Sequence, residues 1–265
     1  MKEKDGSGSA SEKLNYHGQK DQTKQYFYFP GRKITKEEAA KESIRLTEKL
    51  AEIQNKLYAQ KKFDVLIVLQ GMDASGKDSA VQHVFSGINP AGCRVKSFKA
   101  PTEEEKAHHF LWRISKECPE KGMIQIFNRS QYEDILVPSV DKLIDKDLIK
   151  DRCEEINSFE NGLIRNNTIL MKFYLHVSHD EQMERLQARK TDEYKRWKYQ
   201  KEDILAISRH DDFAKVYEYI FEQCSEAAPW HIIPADKKWY KNYAILNEIV
   251  LELEKYGIHY PKVDL

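Results

Sequence analysis

Cysteine is scarce. The 265 residues hold four, Cys93, Cys118, Cys153 and Cys224, and no two form a Cys-x-x-Cys pair. That excludes a disulfide scaffold or a zinc framework and reads as reduced core thiols of a cytoplasmic protein. Net charge is missing too, since 43 Lys and Arg balance 43 Asp and Glu. Nothing therefore pulls the chain globally toward membrane or nucleic acid, and any polyanion must be held by a local patch. No apolar run reaches membrane-spanning length, nothing at the start reads as a signal peptide, and no internal repeat is visible. At 40 % hydrophobic residues the chain can still bury a full core, and its length suits one α/β domain with decoration.

The most informative stretch is Asp64 to Ser79, DVLIVLQGMDASGKDS. Val65 to Leu69 is an unbroken apolar run, which suits a strand buried on both faces of a parallel sheet. Gly71 and Gly76 follow with four residues between them, and then comes Lys77. This is the phosphate-loop spacing, placed after a strand and before a helical pattern. Glycine lets the backbone fold around an anion with N–H groups aimed at it, the following helix adds its positive end, and Lys77 adds a point charge. Gly71, Ala74, Ser75, Gly76, Asp78 and Ser79 are the phosphate-binding candidates around it. The motif usually ends in Ser or Thr; here Asp78 stands there and Ser79 comes one place later. Asp73 would repel phosphate unless a metal or an acceptor hydroxyl compensates, so it reads equally as a metal carboxylate or as a turn residue bonding its own backbone.

Residues 1–24 are polar, contain Gly-Ser-Gly-Ser-Ala-Ser and read as a disordered tail; residues 25–265 read as a single domain. Tyr26 to Pro30 is an aromatic segment expected to lie against that domain. Thr35 to Glu38 is a capping box that opens an amphipathic helix over about 36–58. Strands are expected near 93–98, 123–127, 168–177 and 230–233, alternating with helices near 77–86, 103–116, 148–165, from 180 and over 240–255. Five parallel strands between helical layers follow, with ligands at the strands' carboxyl ends. Lys99, Asn128 to Asp134 and Asp236 to Lys238 fall at that edge.

A phosphate-loop enzyme needs magnesium carboxylates at a neighbouring strand end. The residue there is the neutral Asn128, so the charge must come from Asp73 first, then from Glu133 or Asp134; these two read equally as a solvated helix start. Arg129 suits an acceptor phosphate, or else pairs with Glu133 one helical turn on. The segment 185–205, with Arg185, Arg189 and Lys198, is strongly basic and interleaved with aromatics. It reads as a lid closing on phosphates, with single-stranded nucleic acid ranked second. His176 and His179 read as structural, for want of further ligands nearby.

Taken together, QGMDASGKD, Phe85-Ser-Gly-Ile-Asn-Pro90, Ser97-Phe-Lys-Ala-Pro-Thr102, Phe110-Leu-Trp-Arg113, Ile126-Phe-Asn-Arg-Ser130 and Ala228-Pro-Trp230 through Ile233-Pro-Ala-Asp-Lys-Lys-Trp239 resemble the polyphosphate kinase 2 family in the same order, over roughly 34–263. The resemblance implies a three-layer, thymidylate-kinase-like phosphate-loop kinase fold with a helical lid and an N-terminal helical extension. It implies Mg2+-dependent phosphoryl transfer between inorganic polyphosphate and adenine nucleotides, with guanine as an alternative base, and a homo-oligomer, dimer or tetramer. Lys77 would hold the transferring phosphate, Asp73 would organise metal or acceptor, and Arg129, Arg113, Arg185, Arg189 and Lys198 would handle phosphates. Asn128 with Tyr132 and Glu133 to Val137 resembles the subgroup accepting both nucleoside mono- and diphosphates, although Ser139 stands where that subgroup's Arg is expected. The rival readings are an ATP-dependent nucleoside monophosphate kinase and a non-catalytic polyphosphate or nucleotide binder.

Overall fold

The computed structural model describes residues 27–28, 34–194, 196 and 207–262. The tail over 1–24, most of the basic segment after Tyr194, and Lys198 with it, lie outside the described residues. In chain order the elements are β1 (Phe27–Tyr28), α1 (Lys36–Gln60), β2 (Asp64–Gln70), α2 (Lys77–Val84), β3 (Cys93–Ser97), α3 (Glu103–Lys106), α4 (Trp112–Ser115), β4 (Ile124–Asn128), α5 (Glu133–Val140), α6 (Lys146–Arg165), β5 (Thr168–His176), α7 (His179–Thr191), α8 (His210–Gln223), β6 (Trp230–Pro234) and α9 (Lys238–Leu253).

Every strand pairing is parallel, in the order β1-β6-β5-β2-β4-β3. The five expected strands are present, and the two-residue β1 adds an edge beside β6. β2 lies inside the sheet because all seven of its residues are buried. Its side chains divide by parity, as a pleated strand requires. Val65, Ile67 and Leu69 pack with α1, α2 and α9, while Leu66 and Val68 pack with α5, α6 and α8. Each fully buried aliphatic side chain of this kind contributes about 2 kcal/mol. From β2 the chain crosses outward to β3, returns to β4, and then jumps to β5 on the other side of β2. This reversal opens a crevice at the carboxyl ends of β2 and β4.

Local chemistry explains the element ends. Thr35 caps α1, accepting from the Glu38 N–H while the Glu38 carboxylate accepts from the Thr35 N–H at 2.8 Å. The helix expected over 103–116 is two short turns, because α3 buries no side chain at all, whereas α4 buries Arg113 and Ile114. The helix start weighed at Glu133 and Asp134 is the start of α5, whereas sequence reading passed over α8, which buries Tyr217, Ile220 and Phe221 against the sheet.

Under the crevice lies a charged cluster. Lys172 on β5 and Glu160 on α6 are fully buried and pair at 2.6 Å. Lys172 also donates to Tyr132 Oη at 3.0 Å and to the Cys224 carbonyl at 2.7 Å, while Tyr132 Oη and Gln131 Nε2 donate to Glu160. Both charges are thus surrounded by partners, which a buried ion pair needs to offset desolvation. The network ties the chain just after β4 to α6, β5 and the end of α8.

Candidate active site

The loop joining β2 to α2 is shaped by two glycines. Gly71 has φ +151°, and a Cβ there would lie 2.8 Å from the Leu175 carbonyl oxygen. Gly76 has φ +93°, and its Cβ would lie 2.7 Å from Lys241 Nζ. Ala74 also takes a left-handed conformation, at φ +61°.

Every carbonyl from Gly71 to Gly76 is engaged by a side chain, and those of Asp73, Ala74, Ser75 and Gly76 are held from α7 and α9 outside the loop. Lys77 Nζ donates to the Gly71 and Met72 carbonyls at 2.6 and 3.2 Å. Gln182 Nε2 donates to the Asp73 carbonyl at 2.9 Å. Arg185 Nη1 donates to the Ala74 and Ser75 carbonyls at 2.9 and 3.2 Å. Lys241 Nζ donates to the Gly76 carbonyl at 2.7 Å. A peptide unit is planar with its C=O and N–H on opposite sides, so a carbonyl held outward turns the next N–H inward. Ser75 Oγ is buried in the loop without a protein partner.

Charged groups converge on the loop from β4 and α5. Arg129 follows the last residue of β4 with φ +65° and bonds Asp73 Oδ1 at 2.9 Å. Asn128 Nδ2 donates to Asp78 Oδ1 at 2.8 Å. With its amide turned to face the carboxylate, Gln70 donates to Glu133 Oε1 at 3.0 Å and accepts from Ser130 Oγ. Burial pushes the Lys77 ammonium down to about 8, helped by Arg129 and opposed by Asp73, Glu133 and Asp78. Burial also raises the Glu133 carboxyl above the usual carboxylate range, against the pull of Arg129 and Lys77. A pocket takes in Asp73, Arg129 and Glu133 from these groups, and is lined further by Gly71, Met72, Gln182, Leu136, Val137, Phe213 and Tyr217.

The structure thus brings together Asp73, Lys77, Arg129 and Glu133, and sets Asn128 and Asp78 beside them. Asp134 is placed differently from Glu133: it pairs with the buried Arg113 at 2.9 Å. Arg113 also donates to the Lys99 carbonyl at 2.8 Å, so it braces the end of β3 against α5, while Lys99 itself is exposed. Ser79 is half-buried in the first turn of α2. Arg185, expected in the lid, lies beneath the loop: besides the Ala74 and Ser75 carbonyls it reaches Glu181, the Ala235 carbonyl and the Asp236 carbonyl. Arg189 is half-buried one turn further along α7.

Sequence reasoning missed Lys241, Gln182 and the pocket wall from α8. The one signal for Lys241 was a cation inside the apolar stripe of α9, between the buried Tyr240 and Tyr243. Gln182 carried no signal. Among the described residues, no group of three His, Cys, Asp or Glu is placed to hold a metal ion. No described helix is long and apolar enough to cross a membrane.

Residues 33–260 match the family model of polyphosphate kinase 2. The chain is 43 % identical over 227 residues to the AMP/ADP-polyphosphate phosphotransferase of Meiothermus ruber, covering 85 % of each chain. It is 38 % identical over 228 residues to the ADP-polyphosphate phosphotransferase of Rhodopseudomonas palustris, covering 81 % of this chain and 79 % of that one. The crystal structure of polyphosphate kinase 2 from Arthrobacter aurescens TC1 superposes with a TM-score of 0.88 at 37 % identity, covering 98 % of this chain and 90 % of the other.

Proposed function

The chain belongs to the polyphosphate kinase 2 family, and from that premise we propose that it moves phosphoryl groups between inorganic polyphosphate and adenine nucleotides, AMP to ADP and ADP to ATP. The observation that carries this reading is the convergence of Lys77, Asp73 and Arg129 on one loop at the sheet's carboxyl edge.

Each residue's part follows from its chemistry. The amides of the loop and of the α2 start receive phosphoryl oxygens. Ser75 Oγ, buried and unpartnered, supplies a further donor. Lys77 adds a charge that a bound anion strengthens, because an opposite charge reverses the effect of burial on an ammonium. Arg129 can release Asp73 and present its planar fork to an acceptor phosphate. The apolar lining residues Leu136, Val137 and Phe213 suit a nucleotide base.

The donor set fits magnesium. Asp73 and Glu133 give two carboxylates on one pocket, and Mg2+ is usually held by one or two carboxylates with phosphate oxygens and water completing its shell. Asp134, engaged by Arg113, is the weaker candidate. When bound, the ion neutralises charge on the transferring phosphates. The neutral Asn128 leaves one negative charge fewer near the acceptor, which eases binding of a mono- or a diphosphate at one site.

The test is purified protein with Mg2+ and long-chain polyphosphate, AMP or ADP supplied alone, and products resolved by chromatography. Both nucleotides should be phosphorylated. If ADP gives ATP while AMP stays untouched at millimolar concentration, the dual acceptor fails. If ATP serves as donor and polyphosphate does not, the chain is an ordinary monophosphate kinase.

A further inference from the structure

We propose that Lys241 is a positioning residue for phosphoryl transfer: from α9 it holds the Gly76 carbonyl, and thereby sets the direction of the Lys77 amide at the start of α2. The inference rests on the reading of the 71–77 loop as the phosphate site.

The argument begins with location. Lys241 is fully buried, an expensive place for an ammonium unless it serves a fixed partner. That partner is a main-chain carbonyl at 2.7 Å rather than a carboxylate. The same Gly76 carbonyl accepts the Ala80 N–H, the first hydrogen bond of α2. It therefore belongs both to the helix and to the lysine, and its peptide plane is held from two directions. The N–H of that peptide belongs to Lys77 and faces the opposite way. It is one of the first amides of α2, which have no partner inside the helix.

Charge points the same way. The groups acting on Lys241 are Arg185 on α7, Lys238 on α9, and Lys77 and Asp78 on α2, so three cations face it against one carboxylate. Burial and these cations push its ammonium down to about 7. A polyanion on the far side of the loop would offset that repulsion. A Cβ at Gly76 would lie 2.7 Å from Lys241 Nζ, so a side chain there would displace the ammonium from the carbonyl it holds.

Lys241→Met, Lys241→Gln and Lys77→Ala test this with polyphosphate and ADP. Lys241→Met should lower kcat about 10–100-fold, the scale of losing one fixed donor or a small displacement at a reacting centre. The KM for ADP should stay within about threefold, since acceptor binding uses other residues. Lys241→Gln keeps a donor without the charge and should recover part of the loss. A purely stabilising lysine would lower the melting temperature and leave kcat at saturating substrate unchanged. Wild-type kcat in a folded Lys241→Met variant overturns the proposal, and so does failure of both variants to fold, which would assign Lys241 to stability. Lys77→Ala separates this from the loop reading. An active Lys77→Ala removes the loop assignment itself, whereas an inactive one beside an active Lys241→Met removes only the role of Lys241.

Discussion

Replacing Lys172 by Met should cost stability well beyond an ordinary core substitution. Shape and hydrophobicity favour the change, since Met fills a similar volume. What opposes it is the anion left behind. Glu160 would keep its bonds from Tyr132 Oη and Gln131 Nε2 but lose the 2.6 Å ammonium contact, at a site with no solvent exposure. Breaking a buried pair by removing one partner costs about 3–5 kcal/mol, because the remaining charge is uncompensated or must take up a proton. The Cys224 carbonyl and Tyr132 Oη also lose a donor. At about 2–4 °C per kcal/mol for a chain near this size, the melting temperature should fall by about 10 °C. Urea unfolding followed by circular dichroism measures the free energy directly. The double variant Lys172→Met, Glu160→Met should then be less destabilised than the two singles added together, by about 2 kcal/mol or more. Additive losses, or a loss under about 1 kcal/mol for Lys172→Met alone, would show that the pair contributes little beyond packing and refute the reasoning. Because Gln131 and Tyr132 follow Arg129 by two and three residues, the single variants should also lower kcat.

Three further outcomes are expected. Gly76→Ala should destabilise by about 1–2 kcal/mol through its left-handed φ and lose activity by displacing Lys241; melting curves and turnover check both. Lys241 has a folded-state pKa depressed to about 7, against an unfolded value near 10.4. Between these values the unfolded chain holds the extra proton, so wild-type stability relative to Lys241→Met should be lowest below pH 7 and climb as pH rises toward about 10; a flat difference in urea titrations across that range would contradict the buried ammonium. Asp73→Asn should abolish activity and metal dependence, while Asp134→Asn, by freeing Arg113, should act mainly on stability; the reverse pattern in magnesium titrations would move the metal to Asp134.

The linear sequence by itself determined the parts that depend on near neighbours. The apolar run Val65 to Leu69, the Gly71–Gly76–Lys77 spacing and the Thr35–Glu38 box each carry their physics within a few residues, so the central strand, the loop and the start of α1 were legible. The parallel sheet followed from the alternation of strands with helices, and the family from six ordered motifs. Only the tertiary structure decided which groups meet. Glu133 and Asp134 are neighbours with the same charge, yet one lines the pocket and the other binds Arg113, because adjacent helical residues point about 100° apart and local sequence does not say which way the site lies. Arg185 looked like any lid cation, and its place beneath the loop arises only when α7 packs back over the end of β6. Lys241 comes from the far end of the chain, 165 residues after the carbonyl it holds. Its role could not be read from spacing, because the parallel topology that stacks α9 on α2 is what brings the two together.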